Sequence, residues 1–374
     1  MSGLYIHVPF CASICSYCHF ARTAEHGRAD RERFARGVVR ELELRRDACP
    51  TLRQGGRLLA TAYLGGGTPS QLEPDLAEIM IAGTVGTMTA ADDLEFTAEA
   101  NPESLTDELA RTWRGLGVNR ISLGVQSLEA GVLRLLGRSC DPATARAGLD
   151  RAARHFKRVS ADFILGPGLQ RPQLLAELKE AVDRGAEHIS LYILELHPGT
   201  ALEGAVGRGE VRLLPDHRTE SLYLSCVEEL ARLGLPQYEV SNFARPGAES
   251  RHNGNYWRRR PWLALGPAAH GAWGRRRYAN CGTLAAWLGR LDEGRLPEAS
   301  VDPLDTAARR LERVILALRT RRGVPLAWLP TAALDLPAGT REGLWKVADG
   351  HLGLSPRGFL RIDTIEARIA RALA

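Results

Sequence analysis

Leu4-Tyr5-Ile6-His7-Val8-Pro9-Phe10-Cys11-Ala12-Ser13-Ile14-Cys15-Ser16-Tyr17-Cys18 is an apolar, β-prone run that stops at a proline and then delivers three thiols within eight residues. Thiolates are soft ligands suited to iron–sulfur clusters, zinc or copper(I). Three of them on one loop fill three positions of a metal centre and leave the fourth open. A structural zinc or an electron-transfer cluster normally takes four protein ligands. The Cys-x₃-Cys-x₂-Cys spacing also departs from that of bacterial ferredoxins. The stretch therefore reads as a first strand whose carboxyl end presents an open metal centre to some further ligand.

Other readings stay open on residue types alone. A closed zinc site would recruit His19 as fourth ligand. Cys15-Ser-Tyr-Cys18-His19 also spells a c-type heme attachment pattern, though such hemes are attached outside the cytoplasm and no export signal precedes it. A disulfide framework fits poorly with seven cysteines, an odd number, spread over 374 residues. Cys49, Cys140, Cys226 and Cys281 stand alone and read as small buried hydrophobes.

A 44% hydrophobic and 25% charged composition is that of an ordinary globular protein, and the length allows roughly two domains. No apolar run is long enough to span a bilayer, so the chain is not expected to be transmembrane. The expected compartment is a reducing cytoplasm. The net charge of +5 favours anionic ligands but is too diffuse for a nucleic-acid partner.

Outward from the first strand, a helix is expected over 28–48, with Phe34, Val38 and Leu42 on one face and Asp30 capping its start. Leu58–Leu64, Leu94–Glu99, Arg120–Gly124, Arg158–Leu165 and His188–Ile193 read as further strands, each separated from the next by a helical stretch. Six strand-then-helix units predict a parallel sheet with right-handed crossovers, hence an α/β fold of the partial or full β/α-barrel type. Ligand sites in such folds lie at the carboxyl ends of the strands. The cysteines, Gly65-Gly66-Gly67-Thr68-Pro69, Glu99, Gln126, Asp162 and Tyr192 all fall at or near such ends. The glycines would let backbone carbonyls approach a cationic α-amino group, and Glu99 could accept two ribose hydroxyls.

Beyond residue 200 the repeat lapses. Gln237–Phe243 reads as another strand. Arg251-His252-Asn253-Gly254-Asn255-Tyr256-Trp257 and the downstream His270 offer imidazoles and flat apolar walls for an iron porphyrin, with Arg258, Arg259 and Arg260 for its propionates. The competing reading is a buried histidine in a core of Tyr and Trp. Residues 1–300 form the expected barrel domain with this extension, and 301–374 a small α-rich domain that could take a winged-helix-like arrangement. Within it Thr340–Val347 and Ile365–Leu373 are expected as helices and Phe359–Ile362 as a strand.

With these residues in view, the chain resembles the oxygen-independent coproporphyrinogen III oxidase family, and within it the branch of radical S-adenosylmethionine (SAM) heme chaperones. The resemblance runs over nearly the whole chain. It rests on Tyr5-Ile-His-Val-Pro-Phe-Cys11 with its cysteine triplet, Gly65-Gly-Gly-Thr-Pro-Ser70, Glu99-Ala-Asn-Pro102, Gly117–Ser127, His197-Pro-Gly-Thr200 and His252-Asn253-x-x-Tyr256-Trp257. It implies a [4Fe–4S] cluster on Cys11, Cys15 and Cys18, with SAM on the open iron among Tyr5, Gly66, Gly67, Thr68 and Glu99. Tyr17, Gln126, Arg138 and Asp162 match positions that contact a second SAM in the oxidases. His252, Asn253, Tyr256 and Trp257 match a motif associated with heme binding in the chaperones.

Two features separate the branches. The oxidases carry a further Cys two residues after the triplet, where this chain has Phe20, and a longer extension before the first strand. Both favour a protein that binds heme and passes it to an acceptor protein, which could itself be membrane-bound. The alternative is oxidative decarboxylation of coproporphyrinogen III to protoporphyrinogen IX. The chain departs from both branches at His19, where the chaperones usually have Asp, and at Gly166-Pro-Gly-Leu-Gln170, which replaces Gly-Leu-Pro-x-Gln.

Overall fold

Along the first six strands, side chains alternate between apolar and polar with a period of two, and this alternation builds the barrel. The computed structural model describes residues 2–49, 58–330 and 334–373. Strands β1 (Ser2–Val8), β2 (Leu59–Gly66), β3 (Ala90–Ala100), β4 (Arg120–Gln126), β5 (Arg158–Leu165) and β6 (His188–Ile193) pair in parallel in that order. Leu4, Ile6 and Val8 of β1, Phe96 and Ala98 of β3, and Ile121, Leu123 and Val125 of β4 are buried in the main hydrophobic cluster. The intervening positions are Tyr5, His7, Tyr63, Thr97, Glu99, Ser122 and Asp162. The strand register places Glu99 beside Ser122, and Gly124 beside Asp162. One face of the sheet is thus apolar and packed, and the other is polar and turned to the barrel interior.

The sheet does not close. Four further strands extend it beyond β1: β8 (Trp262–Leu265), β9 (His270–Trp273), β10 (Arg276–Asn280) and β11 (Glu298–Pro303). A short antiparallel strand, β7 (Asn242–Ala244), flanks β6 at the other end, giving eleven strands in the order β11-β10-β9-β8-β1-β2-β3-β4-β5-β6-β7. The architecture is a partial barrel. The expected strand over 237–243 reduces to β7, because the chain turns back at 238–241 and Tyr238 donates its amide to Asn242.

The helix Arg28–Ala48 covers β1 and the extension strands, burying Phe34, Val38 and Leu42. Asp30 lies inside its first turn and accepts the Gly27 amide at 2.8 Å, so the N-cap is Gly27, one turn earlier than expected. Glu41 in the same helix is wholly buried. It accepts from Arg45, Asn280, Trp287 and the Gly266 amide, a fully partnered carboxylate that ties the helix to the extension strands.

A second cluster, which includes Val314, Leu318, Trp345, Phe359, Ile365 and Ile369, forms a separate core. The expected boundary at residue 300 falls inside β11, and the second core begins with the helix Thr306–Leu318. Thr340–Val347 is not a helix there. The helix Leu336–Arg341 stops, and β12 (Trp345–Ala348) pairs with β13 (His351–Leu354) through Asp349-Gly350, both at positive φ. Asp-Gly in that conformation makes the tight hairpin turn that matches strand twist. Phe359–Ile362 is not a strand either. Ser355 caps a helical turn at Pro356–Phe359, and the chain runs on into the helix Ile362–Leu373.

Candidate functional site

The three cysteines lie on the loop that leaves the carboxyl end of β1. The Cys11 amide donates to Thr23 and the Thr23 amide to Pro9, so the loop returns on itself. Its middle is anchored on the far side of the barrel, where Ser16 donates to Leu136 through its amide and to Leu135 through its hydroxyl, at 3.1 and 2.9 Å. Its end is held by His7, whose Nε2 lies 2.8 Å from the Ala21 carbonyl. All three thiols line one cavity of about 420 Å³ at the carboxyl ends of the strands, within the size range of small-molecule sites.

The same cavity gathers Tyr17 from the cysteine loop and Gly66, Gly67, Thr68, Glu99, Gln126, Arg138 and Asp162 from β2 to β5 and the loops beyond them. A Cβ on Gly66 (φ 115°) would meet the His7 ring at 2.7 Å, and one on Gly67 would meet the Phe10 carbonyl at 2.9 Å. The triple glycine is thus required by its close fit against β1 and the cysteine loop. Gln126 has φ 64°, a sparsely populated conformation for a non-glycine residue, and such strain gathers at ligand sites.

Glu99 accepts from the Tyr63 hydroxyl at 2.7 Å and from the Gly66 amide at 3.1 Å. Burial raises its carboxyl to about 7 despite those donors. Asp162 is likewise raised by burial and accepts from Ser122 and Ser160. Burial also pushes up the Cys11 and Cys18 thiols. Arg138 donates to the Gly124 carbonyl at 2.9 Å and stands 3.7 Å from Cys15 Sγ. Burial works against its charge, but Cys15, Glu103 and Tyr17 more than offset it and hold the guanidinium protonated.

Three thiols, an arginine with a buried Nε lacking a partner among the described residues, and a glycine turn with no room for a Cβ fit a thiolate-bound cluster beside a polar ligand. Among the described residues no three His, Cys, Asp or Glu groups stand close enough to hold a single metal ion, which a Cys₃His zinc site with His19 would require.

Some expected residues lie elsewhere. Tyr5 is not in the cavity wall; its hydroxyl lies 3.1 Å from His7 Nδ1, so it acts through the histidine that pins the loop. The Gly166–Gln170 turn is also outside the wall. His252, Asn253, Tyr256 and Trp257 also lie outside the cavity wall. They belong to the helix Arg251–Trp257, which packs against β2 near its amino-terminal end. The His252 ring bonds Thr61 Oγ1 at 2.8 Å and the Tyr256 hydroxyl at 2.7 Å and is 1% exposed. Burial, with the Arg120 charge behind it, lowers its pKa to about 3. Thr61 is five residues before Gly66, about 16 Å along the strand.

Glu95 accepts the backbone amides of Arg251 and His252, and Asn255 donates to Thr61, so the motif plugs the barrel floor. Arg259 pairs with Glu312 of the C-terminal core, joined there by Arg277 at 2.8 Å, and is thereby engaged away from any propionate. Cys140 and Cys226 are buried as expected, whereas Cys49 and Cys281 are half-buried. Sequence reasoning missed His7, Asn101, Ser122, His197 and the cavity position of His19. The period-two polar face of the strands carries the signal for His7 and Ser122.

The radical SAM superfamily model matches residues 5–181. The chain is 36% identical to the heme chaperone HemW of Mycobacterium tuberculosis, over 97% of this chain and 93% of that one. It is 31% identical to the HemW of Bacillus subtilis over 87% and 85%. The mitochondrial radical S-adenosyl methionine domain-containing protein 1 of Bos taurus is 34% identical over 91% of this chain and 73% of that one. Among solved structures, coproporphyrinogen III oxidase (HemN) from Escherichia coli superposes with a TM-score of 0.81 at 20% identity, covering 99% of this chain and 89% of that one. That likeness is one of fold. Residue similarity over almost the full length decides the rest: the chain belongs to the HemW family of the radical SAM superfamily.

Proposed function

We propose that this protein is a heme chaperone, which binds heme and hands it to an acceptor protein. The observation that carries the reading is the 36% identity to a heme chaperone across 97% of the chain. Cys11, Cys15 and Cys18 hold a [4Fe–4S] cluster, and SAM occupies the cavity beside it. Gly66, Gly67 and Thr68 shape one wall for SAM, and Glu99 accepts its hydrogen bonds. Tyr17, Gln126, Arg138 and Asp162 form the opposite wall, where a second SAM would sit. The cluster, when bound, supplies one electron and an open iron site. The protein's part is to seat the thiolates, place Arg138 beside Cys15, and bury Glu99.

Among the described residues no helix is long and apolar enough to cross a membrane. We place the protein in the cytoplasm, where a reducing environment preserves the cluster. The acceptor is a protein that offers heme a tighter site. The reading is tested by loading the reconstituted protein with heme and adding an apo-protein that takes up heme. Transfer faster than from free heme supports it, and heme that never associates with the chain refutes it.

Two expectations concern SAM. Glu99→Ala should weaken the effect of SAM on the reduced cluster's electron paramagnetic resonance (EPR) spectrum by about 1.5–3 kcal/mol, the worth of a hydrogen bond to a charged group. An unchanged SAM titration would remove Glu99 from the site. The Glu99 pKa of about 7 adds a pH dependence. Below it the empty site holds a neutral carboxyl, so SAM binding that needs the carboxylate should weaken by about tenfold per unit as pH falls. The folded state runs the other way, since a raised carboxyl favours folding below its ordinary value and loses that contribution as pH climbs through about 7. Affinity for SAM that stays flat from pH 6 to 8 would contradict the assignment.

A further inference from the structure

Two arginines are buried as whole residues among those described, Arg45 at 5% and Arg120 at 3% exposed. Arg45 is fully engaged by Glu41, Glu298 and Asn280. The Arg120 guanidinium has no hydrogen bond and no ion pair to any described residue. An arginine held out of water without a carboxylate in contact is costly, so its charge has to be offset from further away.

Arg120 opens β4 on its barrel-facing side. Ile121, Leu123 and Val125 pack outward into the main core, while Ser122, the next residue on the Arg120 side, lines the cavity. In the sheet register Arg120 lies beside Thr97, whose buried Oγ1 has no partner among the described residues, and beside Arg158. Arg158 is half exposed and pairs with Glu187 at 3.8 Å, which leaves Arg120 as the guanidinium inside. One layer nearer the cavity stand Glu99, two residues past Thr97, and Asp162, bonded to the Ser122 hydroxyl at 3.1 Å. Burial raises both carboxyls, and the Arg120 charge pulls both back down. Toward the floor, burial lowers His188 and His252, the same charge lowers them further, and both rings stay neutral. The phenols of Tyr63 and Tyr238 also feel it, and Glu95 is taken by the amides of Arg251 and His252.

We propose that Arg120 is the counter-charge of the SAM cavity, a positioning residue that acts through Glu99 and Asp162 and keeps their carboxylates available as hydrogen-bond acceptors. The inference rests on the reading of this cavity as the SAM site. A neutral acid would have to give up its proton before accepting two ribose hydroxyls. SAM is itself a sulfonium cation. Two carboxylates and one guanidinium leave the empty interior with one negative charge, which the sulfonium neutralises on binding. The effect is large enough to matter. Across the two-residue step of about 7 Å between strand layers, at an effective dielectric of about 20, one unit charge moves a carboxyl by about one to two pH units.

The test uses the full-length, anaerobic, cluster-loaded protein and two readouts. SAM is titrated against the reduced cluster's EPR spectrum from pH 6 to 9. Without SAM, infrared difference spectra follow the carbonyl stretch of protonated carboxyls over the same range. Arg120→Gln should move the midpoint of both profiles up by at least about one pH unit, so that SAM binds about tenfold more weakly at pH 7 and recovers by pH 9. Arg120→Lys, which keeps the charge, and Arg158→Gln, at the same level but outside, should hold the wild-type midpoints. Asp162→Asn should move the SAM midpoint down, and adding Arg120→Gln to it should move the midpoint back up. That comparison stands even where the single Arg120 variant does not fold. An affinity lost equally at every pH, or a carboxyl profile that does not move when Arg120 is replaced, overturns the proposal. SAM that never perturbs the wild-type cluster spectrum refutes instead the reading of the cavity as a SAM site.

Discussion

Replacing Cys11, Cys15 or Cys18 singly with Ala is expected to abolish the [4Fe–4S] absorption and EPR signals after anaerobic reconstitution. Replacing Cys49, Cys140, Cys226 or Cys281 should leave them intact. The three loop thiols share one cavity wall, and each serves a different corner of the cluster, so no remaining thiol substitutes for a lost one. Cys226 shows the contrast: it is wholly buried in the main core, where a thiol behaves as a small hydrophobe. His19→Ala should also retain the cluster. A full cluster in Cys15→Ala would overturn the ligand assignment, and zinc released by His19→Ala would favour a closed metal site.

The second large effect is one of stability. His252→Ala is expected to destabilise the fold by about 3–5 kcal/mol, because it leaves buried partners unsatisfied and opens a cavity in the barrel floor. Thr61 and Tyr256 lose the ring that joins them, and that loss is a large fraction of a domain's total stability. The pH dependence is signed. With its pKa at about 3, well below the ordinary value, the ring's contribution is full above pH 6.5 and is lost as pH falls toward 3. Denaturant unfolding followed by circular dichroism reads both effects. An unfolding midpoint equal to that of wild type would mean that the plug is not structural.

Legibility varied along the chain for physical reasons. The parallel strands were read nearly to the residue, Arg158–Leu165 and His188–Ile193 among them, because each is a β-branched or apolar run closed by turn residues. The cysteine loop, Gly66, Gly67 and Glu99 were readable because they fall where strands end, and strand ends converge in this fold. The C-terminal core was misread where local propensity and turn chemistry disagreed. Trp345–Ala348 carries a helix-tolerant sequence, but Asp349-Gly350 forces a hairpin.

The surroundings of His252-Asn253-x-x-Tyr256-Trp257 were not legible for a different reason. The motif's residue types suit a porphyrin equally well as a buried polar network, and only tertiary placement separates the two. Residues 251 and 252 meet Glu95, more than 150 positions earlier in the chain, through their backbone amides, a contact without local signal. His19 was visible as a departure from the chaperone pattern, but its stacking on His197 depends on a loop 178 residues away.

The central claim is that this radical SAM scaffold carries heme and does not make porphyrin. The most direct measurement incubates anaerobically reconstituted, SAM-replete, reduced protein with coproporphyrinogen III or with heme, then resolves the porphyrins by chromatography and the protein-bound heme by gel filtration. The account predicts that heme co-elutes with the protein, is extractable by acid–acetone because no thioether forms at Cys15 or Cys18, and that coproporphyrinogen III is recovered unchanged. Multiple turnovers of coproporphyrinogen III to protoporphyrinogen IX, with no heme retained, would contradict it.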